Sequence, residues 1–145
     1  MDTRRILICT DGSRASLAAA RAAIDLAAGW KSEVRAVYVV ETADADGKPA
    51  PEMIERMREG GRAILNRIAQ MGDAKSVKVV QALLEGVPFE AILNDARGWK
   101  ADLIVMGRTG RTGPGRALLG SEAERVLEFT ERPVLIVPTI ETIAP

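Results

Sequence analysis

Five short aliphatic runs alternate with four amphipathic stretches along the chain, and few folds accept that order. The runs are RRILIC (4–9), EVRAVYVV (33–40), SVKVVQALL (76–84), ADLIVM (101–106) and RPVLIVP (132–138). Several are rich in β-branched residues and nearly continuous in apolar character, as strands covered on both faces must be. Between them, residues 13–28 place Leu17, Ala20, Ile24 and Ala28 on one helical stripe, and residues 51–71 do the same with Met53, Met57, Ile64 and Ile68. Residues 88–98 carry Phe89, Ile92, Leu93 and Ala96, and residues 121–130 carry Val126, Leu127 and Thr130. Gly60 and Gly61 weaken the second stretch as a helix. The order β-α-β-α-β-α-β-α-β predicts an α/β fold: a parallel sheet with helices on both faces. TADADGKPA (42–50) reads as a polar surface loop and not as a linker, so a single domain over residues 1–145 is expected.

Composition narrows the chemistry. Apolar residues make up 47% of the chain and aromatics only 3%, so the core must be aliphatic. Lys+Arg and Asp+Glu both number 20, a balance that argues against a general nucleic-acid or membrane-surface binder. There is no histidine, which removes the commonest general base and metal ligand. Cys9 is the single cysteine, so neither an intrachain disulfide nor a cysteine-based zinc site is available. At a strand end it reads as a small buried residue and not as a nucleophile. No apolar run approaches the roughly 18 residues of a membrane helix, and the start of the chain lacks a signal-type apolar core. A cytoplasmic protein without membrane contact is the expectation.

Two strand ends carry unusual polar chemistry. The first strand ends in CTDGS (9–13) and the fourth in GRTGRTGPGRALLGS (107–121). Open α/β sheets bind ligands at the carboxyl ends of strands, where the strand order reverses. If the first and fourth strands are neighbours, these ends form one crevice, which requires the order 3-2-1-4-5; right-handed crossovers permit it. The second segment holds five glycines and three arginines, Arg108, Arg111 and Arg116. Glycines let backbone N–H groups turn toward a phosphate, and the helix start at Ser121 favours an anion. The segment is neither a Walker A loop nor a dinucleotide fingerprint, because Gly-Lys-Ser/Thr and G-x-G-x-x-G are both absent. A phosphate cradle is one reading and a flexible surface loop the other. Asp11 and Ser13 are equally at home as turn and helix cap. Ser121 and Glu124 fit a capping box, Glu122 suits a helix dipole without any ligand, and Val39 is first a core strand residue.

The spacing Gly107-x2-Gly110-x9-Gly120-Ser121 resembles the G-2x-G-9x-G-(S/T) nucleotide motif of the universal stress protein family. ILICTDGS resembles that family's first strand and turn, GVPFEAILNDA its G-x-P-x-x-x-I segment, and the run from Ala101 to Pro138 its C-terminal half. The resemblance covers the whole chain. It implies a Rossmann-like, five-stranded parallel sheet of order 3-2-1-4-5, of the adenine nucleotide alpha hydrolase-like kind, and ATP as ligand, with Mg2+ held by the phosphates. It puts the adenosine between Thr10, Asp11 and Val39, and Met106 and Gly107 beside the ribose. Gly110, Gly120 and Ser121 would cradle the phosphates with the N–H of Glu122. Apart from the resemblance, the clustering of Arg108, Arg111 and Arg116 within nine residues favours phosphate proximity over ordinary solvated charge. The family usually shows proline where this chain has Cys9 and a small apolar residue at Glu122. The function implied is a nucleotide-responsive stress regulator. The alternatives are a dimeric interaction module without nucleotide, or a slow ATPase. Efficient catalysis is disfavoured, because Asp11 is the one candidate base near the site. A homodimer through residues 132–138 is expected, since that strand would be an apolar sheet edge in need of cover. The tail 139–145 folding over the same edge is the alternative.

Overall fold

The computed structural model describes residues 4–42, 47, 49–109 and 119–139. In chain order the elements are β1 (Arg5–Thr10), α1 (Arg14–Trp30), β2 (Glu33–Val40), α2 (Pro51–Asp73), β3 (Val79–Glu85), α3 (Pro88–Trp99), β4 (Leu103–Gly107), α4 (Ser121–Phe129) and β5 (Val134–Val137). The strands form one parallel sheet in the order β3-β2-β1-β4-β5. The alternation therefore yields the expected architecture, and the conditional strand order is the one adopted.

Central β1 shows why the aliphatic runs are continuous. Ile6, Leu7 and Ile8 are all 0% exposed. Ile6 and Ile8 pack with Ala19, Ala23 and Ile24 of α1 and Leu65 and Ile68 of α2. Leu7 and Cys9 point to the opposite layer, with Ile92 and Ala96 of α3 and Ala123 and Val126 of α4. Side chains alternate along a strand, so burial on both faces demands apolar residues at every position. Arg35 of β2 breaks the rule with a partner: its guanidinium donates to both carboxylate oxygens of Asp95 on α3, at 2.9 and 2.8 Å.

Three stripe positions are corrected by the packing. Met53 is 53% exposed, because the fully buried positions of α2, Gly61, Leu65, Ile68 and Gly72, lie in its C-terminal part. Leu127 is 42% exposed, because the short α4 seats Ala123 and Val126 and turns Leu127 outward. On α1 the last buried residue is Ala27, and Ala28 is exposed. The glycines of α2 do not interrupt it. A Cβ on Gly61 would lie 2.6 Å from Tyr38 Cδ1 and 2.8 Å from Leu83 Cδ1, so the bare backbone is what allows the helix onto the sheet. That packing offsets a propensity cost of about 1 kcal/mol.

Strand β5 lies at the sheet edge, paired to β4 from Ile104–Val134 through Gly107–Val137. Its four residues are half-buried, with Leu135 and Val137 toward the α1–α2 layer and Val134 and Ile136 toward the α3–α4 layer. Residues 140–145 of the tail lie outside the described residues.

Candidate functional site

β1 and β4 are hydrogen-bonded neighbours, and from them the sheet continues outward to β2 in one direction and β5 in the other. A cleft of about 180 Å³ opens over their C-terminal ends. Its apolar lining comes from Cys9, Val37, Val39, Ile92 and Met106. Its polar lining comes from Thr10, Asp11, Glu41, Arg108, Thr109, Gly120, Ser121 and Glu122. Of the residues the sequence singles out, Thr10, Asp11, Val39, Met106, Gly107, Arg108, Gly120, Ser121 and Glu122 all reach this one cleft. Gly110, Arg111 and Arg116 lie outside the described residues.

At the end of β1 the polar groups hold one another. Ser16 Oγ donates to the Ser13 carbonyl at 2.9 Å, which uses its one proton. The 2.9 Å contact between Thr10 Oγ1 and Ser16 Oγ must then have Thr10 as donor. Thr10 Oγ1 in turn accepts from the Gly12 N–H at 3.2 Å. Asp11 Oδ1 accepts the Ser13 N–H at 2.9 Å, and Ser13 Oγ caps α1 by accepting the Ser16 N–H at 3.1 Å. Gly12 has φ +84°, a left-handed conformation that favours glycine. The turn and cap roles of Asp11 and Ser13 are thus realised, and the Thr10 hydroxyl is committed to the turn.

The junction from β4 to α4 is built differently. Gly107 closes β4 against the first turn of α1: a Cβ there would lie 2.6 Å from the Ala15 carbonyl carbon and 2.8 Å from its oxygen. Next, the Arg108 N–H donates to the Val137 carbonyl at 3.0 Å, and the Arg108 carbonyl accepts the Gly120 N–H at 2.6 Å. Both ends of the glycine-rich segment are therefore pinned together. The capping box expected from Ser121 and Glu124 does not form, because Gly120 occupies the N-cap and Ser121 is already helical. The Glu124 N–H reaches the Gly120 carbonyl at 2.9 Å. The N–H groups of Ser121, Glu122 and Ala123 precede that bond and have no carbonyl within the helix to receive them. All three residues line the cleft.

Electrostatics set Glu122 apart. Burial pushes its carboxyl above the usual carboxylate range; Glu41 adds repulsion, Arg125 and a hydrogen bond from the Phe89 backbone N–H oppose it, and Asp11 adds a smaller repulsion. Its Oε2 is shielded from solvent and has no hydrogen-bond partner among the described residues. Burial also pushes the Cys9 thiol far up, with the charge of Asp95 adding to it, which suits a core residue and not a thiolate nucleophile. Among the described residues no group of three His, Cys, Asp or Glu side chains is arranged to hold a metal ion. No helix among them is long and apolar enough to cross a membrane.

The model of the universal stress protein family matches residues 2–138. The chain belongs to the universal stress protein family. A universal stress protein of Methanocaldococcus jannaschii is 46% identical over 138 residues, spanning 92% of this chain and 81% of the relative. A solved family member from Burkholderia pseudomallei superposes with a TM-score of 0.75 at 30% identity, covering 93% of this chain and 96% of that one. A universal stress protein solved in complex with cAMP superposes with a TM-score of 0.72 at 26% identity, covering 92% and 96%.

In this universal stress protein the cleft also recruits residues that sequence reasoning missed. Glu41 follows the last residue of β2, and Met57, Pro88 and Ile92 come from α2 and α3. Glu41 carried a legible signal. It sits at the carboxyl end of the strand that neighbours β1 in the 3-2-1-4-5 order, where ligand-facing groups collect. Nothing in local pattern marks Met57, which arrives through helix packing.

Proposed function

We propose that this universal stress protein binds an adenine nucleotide, ATP in the first instance, in the cleft between β1 and β4, and works as a cytoplasmic, nucleotide-responsive stress regulator. The observation that carries the reading is the start of α4. Its first three residues, whose N–H groups have no partner within the helix, line the cleft beside the apolar side chains of Val37, Val39, Ile92 and Met106. A helix N-terminus of this kind favours phosphate through both its free donors and its dipole. Val39 and Met106 would wall the base, with Thr10 and Asp11 at its edge. Gly107 and Arg108 would lead to the phosphates, which Gly110, Gly120, Ser121 and the Glu122 N–H would hold. Mg2+ would be carried by the phosphates. The donor set fits such a group, with Glu122 as the one discordant side chain. The cAMP complex of a related universal stress protein supports an adenine ligand. The side chains favour binding over turnover: the chain has no histidine, and Asp11 Oδ1 is engaged by the Ser13 N–H.

Isothermal calorimetry with ATP, GTP and cAMP tests the reading. ATP is expected to bind more tightly than GTP. Absence of heat and of any thermal shift at about 1 mM ATP, a concentration that detects even weak sites, would reject it.

The homodimer belongs to the same proposal. β5 is an unpaired edge among the described residues, half-buried and apolar on both faces. Two-fold pairing with a second copy would cover it in a closed way. Light scattering coupled to size exclusion is expected to give a dimer mass, and a monomer across the micromolar range would remove this part.

A further inference from the structure

Glu122 is the second residue of α4, so its backbone N–H belongs to the set that would hold a phosphate, while its side chain brings negative charge to the same place. The side chain does not escape into water. Its Oε2 is shielded and unpartnered among the described residues, and its hydrogen bond comes from the Phe89 N–H in the first turn of α3. Around it, Asp11 after β1 and Glu41 after β2 repel, while Arg125 of α4 attracts from a position 5.2 Å over the Phe89 ring. Arg108 follows β4 at the exposed rim of the cleft. The residues that α1 and α2 add to the cleft, Ser16 and Met57, are uncharged.

We propose that Glu122 makes phosphate binding proton-coupled in this protein: as the phosphate group arrives at the start of α4, the Glu122 carboxylate takes a proton from solvent, and the nucleotide is held more tightly in acid. The inference rests on the nucleotide reading above. A partly buried carboxylate that already faces two like charges tolerates a third poorly, and protonation is the compact way to remove the conflict. In the free protein, burial and the charge of Glu41 already raise the proton affinity of this carboxyl, against Arg125 and the Phe89 N–H. A protein-held divalent ion is the less fitting neutraliser, since the described carboxylates do not converge on a metal position. Linkage makes proton uptake on binding and tighter binding in acid two faces of one coupling.

The test is calorimetry of the full chain with ATP, in buffers of different ionisation enthalpy, from about pH 8, where an ordinary carboxyl is charged, down to about pH 5, near its ordinary titration range. Wild type is compared with Glu122→Gln, which keeps the shape and removes the charge. The wild type is expected to take up more protons per ATP than the variant. The variant is expected to bind about tenfold tighter at the alkaline end, a typical coupling between two sites. Titration of ATP's own phosphate is common to both proteins, so the difference isolates Glu122. Carbon-13 NMR of the Glu122 carboxyl should show its titration midpoint moving up when ATP is added. Equal proton uptake and equal affinity in the two proteins would overturn the proposal while leaving nucleotide binding intact. Binding that requires Mg2+ and takes up no proton would do the same. No heat with ATP or cAMP at any pH would overturn both readings.

Discussion

Two strand-to-helix junctions border the cleft, and they spend their polar groups in opposite ways. After β1, the side chains of Thr10, Asp11, Ser13 and Ser16 satisfy one another and the start of α1. After β4, Gly120 stands at the N-cap with no side chain to offer, and the residues that carry the first donors of α4 line the cleft. The same position in the fold thus yields a self-sufficient turn on one side and a helix start without a side-chain cap on the other, the place proposed above for phosphate. Polar residues near a site are not all there for the ligand; those that close their own hydrogen bonds are there for the chain.

The sharpest break of this contrast is Gly120→Val. Gly120 has φ −69° and ψ 157°, an extended conformation that valine accepts, so backbone strain is not what the substitution would introduce. What remains is close approach of a phosphate to a bare backbone. Affinity for ATP is expected to fall at least about a hundredfold, close to 2.7 kcal/mol, while the circular dichroism spectrum stays native. A folded variant with unchanged affinity would show that the start of α4 is not the cradle.

Gly107→Ala should do the reverse and strike the fold. Its Cβ would press on the Ala15 backbone, which cannot rotate away. Overpacking of this kind costs about 1–3 kcal/mol, readable in urea unfolding. Unchanged stability would return Gly107 to a purely ligand-facing role. A smaller loss, about 1 kcal/mol, is expected for Ser13→Ala, which removes the cap of α1. ATP affinity should hardly change there, and a large loss of affinity would erase the contrast between the junctions.

The smallest effect concerns stability and pH. The folded Glu122 carboxyl lies above its ordinary range, so the native state binds more protons than the unfolded chain just above pH 4.5. Stability from this group is therefore lost as pH rises. Glu122→Gln should raise the melting temperature at pH about 7 and lose that advantage toward pH about 4. An advantage that persists in acid would mean that packing, not charge, is the cause.

Much of the site was legible because its markers are local. Asp-Gly-Ser writes a turn into adjacent residues, and the Gly107, Gly120 and Ser121 spacing depends on nothing beyond its own segment. Met57 was not legible in this way, since it reaches the cleft only once α2 is packed, and Glu41 was legible only through the strand order that sets β2 beside β1.

The sequence alone determined the alternation of strands and helices, because hydrophobic period and continuous β-branched runs are short-range signals of burial on two faces. It also marked the two strand ends, after β1 and β4, whose residues line the cleft. Tertiary structure alone decided that Leu127 and Met53 face outward, since a helix's buried stripe is chosen by the surface it meets. It decided why Gly61 and Gly107 must be glycine, because a close approach exists only between segments distant in the chain. And it decided the condition of Glu122, which reads in the sequence as an ordinary first-turn acid. Burial and the charges of Glu41 and Asp11 act on it through space, and no local pattern encodes them.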